Sequence, residues 1–149
     1  MEIISKIFAF DFAALVPDLP ALLEKVCQIV RFAVFVGPVL LLVQGLFYLL
    51  CPPKEANHRM GFRTYFGMGS VEAWRYTQRM AGLIYSALGG VLLLIALIVS
   101  VLMIGKDPHR LVTTVATCLL WQAIPALLAR LTVAVLAAVY FDKNGYRRR

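Results

Sequence analysis

The chain has 149 residues, of which 61% are hydrophobic and 15% charged, and it carries a net charge of +7. Soluble domains are about half apolar, so this composition and a mean hydropathy of +0.80 predict a membrane protein with one domain. The basic residues flank apolar runs and form no soluble basic face. They therefore argue against nucleic acid and favour the lipid bilayer as the anionic partner.

Residues 1–24 are predicted to form an interfacial leader. The apolar side chains of the first half suit a helix lying in the membrane surface, with Lys6 and Asp11 turned toward water. No small-residue cleavage site follows, which argues against a cleaved signal peptide. Pro17 and Pro20 then break or restart the chain.

Three apolar segments are long enough to cross a bilayer core of ~30 Å as helices. They are residues 26–50, 81–104 and 111–141. The predicted fold class is an all-α integral membrane protein with three transmembrane helices.

Small residues predict how the helices are shaped and packed. Gly37-Pro38 is expected to kink the first span. Gly82, Ser86 and Gly90 recur every four residues along the second span, a pattern typical of a face that packs closely on another helix.

Two polar residues lie inside the predicted spans. Gln44 is about 9 Å from the end of the first span, and Arg130 lies near the bilayer centre, where a charge costs a few kcal/mol or more. We expect Arg130 to face the bundle interior, bonded to Gln44 or to a carbonyl freed by Pro125, with a partner's carboxylate completing the set. The alternative is that Arg130 snorkels to lipid headgroups.

Residues 51–80 connect the first two spans and contain the main polar run, the motif segment (residues 57–74). Its glycines allow tight turns, and its aromatic residues suit a membrane–water boundary. Ser70 is a natural helix N-cap and predicts a short loop helix, which can continue into the second span.

The motif segment resembles the signature of the bacterial SdpI family, over residues 46–94. The resemblance rests on Asn57, Gly61-Phe62-Arg63-Thr64 and Trp74, with Gly82 entering the next span. The family usually has an Asn shortly after the Trp, where this chain has Thr77 and Gln78, and its six-span members have a further N-terminal half.

The resemblance implies an integral protein of the bacterial inner membrane. It implies immunity to a secreted killing peptide and sequestration of a cytoplasmic repressor. The recognition residues that it implies are Asn57, Gly61, Arg63, Thr64 and Trp74.

Basic residues predict the orientation. Nine lie in the 51–80 loop and the C-terminal tail, against four on the opposite side. The positive-inside rule therefore predicts a cytoplasmic loop and C-terminus and an outside N-terminus.

Two classes of function remain open after an enzyme is judged improbable. No catalytic triad, metal-binding motif or phosphate-binding loop is present, the three cysteines have no metal or redox spacing, and no cofactor is expected. One class is immunity to a membrane-active peptide toxin, with signalling through a cytoplasmic regulator. The other is an accessory subunit of a larger membrane complex, which packs through the small-residue face or the third span.

Overall fold

The computed structural model describes residues 19–56 and 60–148, with side chains from residue 21 onward. Its helices are α1 (Leu19–Phe32), α2 (Val36–Leu50), α3 (Val71–Leu102) and α4 (Pro108–Tyr140), with a 3₁₀ turn (Ala33–Phe35) between α1 and α2. Three helical segments are long and apolar enough to cross a membrane: Ala21–Leu50, Val71–Leu102 and Pro108–Tyr140. The predicted all-α membrane fold with three spans is confirmed.

The predicted leader overlaps the first helix. Residues 1–18 lie outside the described residues, and residues 19–24 form the first turns of α1. These residues therefore extend the helix that precedes the 3₁₀ turn.

The first span is interrupted one turn before Pro38, at the 3₁₀ turn. Proline has no N–H, so Pro38 cannot donate to the Val34 carbonyl four residues earlier. The Gln122 side chain of α4 donates to that carbonyl instead, at 3.0 Å. The Gly37-Pro38 pair thus leaves a free acceptor that ties the first span to the third.

The short helix expected in the loop is continuous with the second span. Ser70 is extended and its hydroxyl accepts a hydrogen bond from the Ala73 N–H at 3.1 Å, as expected of an N-cap. No proline or glycine follows until Gly82, so the helix continues into the span. At ~1.5 Å per residue α3 is about 48 Å long, which lets its first turns stand outside a ~30 Å core.

Helices α2 and α3 pack closely where Gly45 meets Ser86. A Cβ built on Gly45 would lie 2.4 Å from the Ser86 nitrogen, so only glycine permits this approach. Gly82 contacts Leu49 of α2.

The small-residue face was predicted with the wrong third member. A Cβ on Gly89 would lie 2.6 Å from the Leu42 nitrogen of α2, whereas a Cβ on Gly90 would meet nothing within 4 Å. Seven residues rotate an α-helix by about −20°, but eight rotate it by about 80°. Gly89 therefore stays in line with Gly82, and Gly90 turns away.

The chain after α4 folds back as a small hairpin. Phe141 pairs with Arg147 in an isolated antiparallel bridge, and the turn between them contains Gly145 at a φ of 76°. The Asp142 carboxylate accepts from the Tyr146 N–H at 2.8 Å. This hairpin places Arg147 beside the start of α3.

Candidate recognition site

The Trp74 side chain fixes the first part of the loop between α2 and α3. Its side chain is fully buried, and its indole Nε1 donates to the Pro53 carbonyl at 2.8 Å. Trp74 therefore lies beneath the loop, and any effect on recognition acts through the position of the backbone above it.

Gly61 crosses directly over this indole. Its φ is 105°, which side-chain-bearing residues rarely adopt, and a Cβ there would lie 2.6 Å from Trp74 Cζ2. Both the backbone angle and the space require glycine at this position.

Gln78 fixes the loop at Phe62, and sequence reasoning missed this role. The buried amide accepts from the Phe62 N–H at 2.8 Å and donates to the Phe62 carbonyl at 2.8 Å. Gln78 follows Trp74 by four residues and so shares its helix face. That shared spacing is the signal that could have revealed the role.

Thr64 stabilises the next turn of the loop. Its hydroxyl accepts from the Gly67 N–H at 3.0 Å. A Cβ on Gly67 would lie 2.5 Å from the hydroxyls of Thr64 and Thr77, so the turn packs directly on α3.

The Phe62 ring enters the bundle, where it meets two tyrosines. Its centroid lies 6.4 Å from that of Tyr48 on α2 and 5.7 Å from that of Tyr85 on α3, both near edge-to-face. Ala129 and Val133 of α4 belong to the same buried cluster. The loop is therefore anchored in the bundle by one aromatic side chain.

A polar pocket of about 240 Å³ opens beside this ring. The residues that line it come from all three spans and from the loop. They are Gln44, Tyr48, Gly61, Phe62, Arg63, Tyr85 and Arg130. The pocket gathers hydrogen-bonding groups where the loop meets largely apolar helices.

Arg130 lines this pocket from α4, although the residue as a whole is exposed. Its guanidinium carbon lies 5.9 Å from the Phe62 ring centroid, within cation–π range. Among the described residues no hydrogen bond joins Arg130 to Gln44, and the Gln44 amide N–H donates to the Tyr48 hydroxyl at 2.8 Å. Across the described residues, no carboxylate lies within 4 Å of Arg130.

The structure separates the predicted site residues into three groups. Gly61, Arg63, Gln44 and Arg130 meet at the polar pocket. Thr64 and Trp74 support the loop from below, and Gly82 and Ser86 face α2. Asn57 lies outside the described residues.

The C-terminal hairpin also contacts the loop, which no local pattern in the sequence indicated. The Ser70 hydroxyl donates to the Gly145 carbonyl at 2.7 Å, and Arg148 lies over the Phe66 ring at 6.0 Å. Ser70 therefore caps α3 and fastens the tail at the same time.

The described part of the chain contains no set of metal ligands. No group of three or more His, Cys, Asp or Glu side chains there is placed to hold an ion.

Comparison with known families gives one match. A model of the SdpI/YfhL protein family matches residues 54–140, which is more than half of the chain and contains the motif segment. No curated protein and no solved structure matches the chain.

Proposed function

Because the chain belongs to the SdpI/YfhL protein family, we propose that it makes its membrane resistant to a membrane-active peptide toxin, which it recognises at the polar pocket. One observation carries this proposal. Two motif residues, Gly61 and Arg63, line the same pocket as the intramembrane residues Gln44 and Arg130, although the four lie on three separate segments of the chain.

The chemistry of the pocket suits a peptide at the membrane boundary. A guanidinium offers five N–H donors, and peptide carbonyls and carboxylates are its natural acceptors. Hydrogen bonds are stronger where water is scarce, and Arg130 has no carboxylate within ion-pair distance among the described residues. An acceptor from a bound peptide would satisfy it.

We propose that signalling uses the outer surface of the same end of the bundle. Met60, Tyr65 and Tyr146 are exposed there by 60%, 76% and 72%. Aromatic and methionine side chains are enriched at protein–protein interfaces. These three side chains therefore offer a contact surface for a cytoplasmic regulator beside the pocket.

The alternative of an accessory subunit has less support. The small residues proposed to dock on a partner, Gly82 and Ser86, pack against α2 within the chain. Only Gly90 of the predicted face remains open.

The test is survival of a bacterial strain that is killed by a secreted membrane-active peptide. Expression of the wild-type chain should protect it, and Arg63→Ala or Arg130→Leu should abolish protection at unchanged abundance in the membrane. The control is Arg110→Gln, an exposed arginine in the first turn of α4. Full protection by both pocket variants, or loss of abundance that matches the loss of protection, would refute recognition at the pocket.

A further inference from the structure

A second pocket, separate from the polar pocket, lies where the C-terminal hairpin meets α3. Its volume is about 280 Å³. We call it the arginine groove, and it is lined by Glu72, Arg75, Tyr76, Arg79, Tyr140, Phe141 and Arg147. It contains three arginines and one carboxylate.

Two elements supply the arginines. Arg75 and Arg79 are one turn apart on α3, so their exposed side chains share a face. Arg147 comes from the far end of the chain and is held there by its bridge to Phe141. The cluster therefore exists only once the hairpin has formed.

The positive charge of the groove is not neutralised from within. The one ion pair among the described side chains joins Arg110 and Asp107, away from the groove. Glu72 lies beyond 4 Å from all three guanidiniums. Like charges held close together repel one another, so a bound anion would be favoured.

Arg75 and Arg79 line two pockets that both contain apolar or aromatic side chains. The Tyr76 ring contacts Tyr140 and Phe141 in tilted arrangements, each at a centroid distance of 5.4 Å. Arg75 and Arg79 also line a neighbouring pocket of about 280 Å³, together with Tyr48, Leu49 and Pro52. Arginines bordered by tyrosine rings and aliphatic walls are typical of headgroup depth, where the polar and apolar parts of a lipid meet.

We propose that the arginine groove binds the headgroup phosphate of an anionic phospholipid, whose acyl chains lie along the neighbouring apolar walls. A soluble phosphate would use the charges but not the walls, so the combination favours a lipid. Bound lipid would also hold the hairpin against α3, because Arg147 contributes to the same site.

The experiment measures lipid binding to the full chain in detergent by native mass spectrometry. Phosphatidylglycerol is titrated, with phosphatidylcholine as the zwitterionic comparison. Arg75→Gln/Arg79→Gln removes two charges from the groove, and Lys54→Gln/Lys143→Gln removes two charges from the same end outside it. A surface Arg near lipid contributes ~1 kcal/mol, about fivefold, so the groove double variant should bind phosphatidylglycerol about 25-fold more weakly.

Each outcome decides the proposal. Weaker phosphatidylglycerol binding by Arg75→Gln/Arg79→Gln but not by Lys54→Gln/Lys143→Gln would support it, together with a smaller loss of binding by Arg147→Gln. Equal loss in both double variants would show a diffuse charge effect and overturn it, as would unchanged binding in both. Displacement of the lipid by millimolar inorganic phosphate would show a phosphate site in place of a lipid site. Melting temperatures of all variants should match that of the wild type, and Arg147→Gln tests the groove independently if the double variant is unstable.

Discussion

Replacing Gln78 by Leu should release the motif loop while leaving the helices intact. The amide makes two hydrogen bonds of 2.8 Å to the backbone of Phe62 and is fully buried. Leucine has nearly the same size but bonds to neither group. Each buried backbone group left unpaired costs roughly 1–3 kcal/mol. The loop lies at the end of the bundle, where water can satisfy part of the loss, so we expect local opening to become easier by ~2 kcal/mol, a factor of about 30.

Hydrogen–deuterium exchange of the Phe62 amide measures this opening directly, because its N–H donates to Gln78. We expect exchange about 30-fold faster in Gln78→Leu. Thr132→Val is the control, because its hydroxyl bonds only the Leu128 carbonyl of its own helix at 2.8 Å. Unchanged Phe62 exchange in Gln78→Leu would refute the assigned role of the amide.

Three further predictions follow from the packing and the topology. Gly61→Ala should destabilise the fold by roughly 1–3 kcal/mol, because it combines a φ of 105° with a clash against the indole below, and denaturant unfolding in detergent measures it. Gly89→Val should lower the melting temperature and Gly90→Val should leave it nearly unchanged, since only the first Cβ meets α2; equal effects would contradict the corrected face. With the native cysteines replaced by alanine, membrane-impermeant labelling of intact cells should reach Asp107→Cys and miss Tyr65→Cys, whose site is 76% exposed; the reverse pattern would invert the topology.

The sequence by itself determined the class, the spans and the start of α3. Hydropathy is a sum over neighbouring residues, so the three spans could be located without any tertiary contact. The Ser70 cap is equally local, because its hydroxyl bonds an N–H three residues away. The motif residues pointed to the family because their spacing is a property of the chain and not of its folding.

Only the tertiary structure decided how those residues divide between the pocket and its support. From the sequence, Trp74 is expected to be an aromatic residue at the membrane boundary. In the structure it is buried, because the loop folds back over α3 and the indole N–H donates to the Pro53 carbonyl. Gln78 pairs with a backbone 16 residues away, and Ser70 with a carbonyl 75 residues away. The local spacing shows that Gln78 shares a helix face with Trp74, but it identifies neither of these distant partners.

Helix packing gives a second example of a feature that the sequence alone did not determine, the small-residue face of α3. Sequence spacing placed Gly90 with Gly82, but the contact with α2 selected Gly89. Which side of a helix faces its neighbour depends on the crossing angle and on the rotation of both helices. Those are set by the packing of all the side chains between them, and no single segment of sequence contains that information.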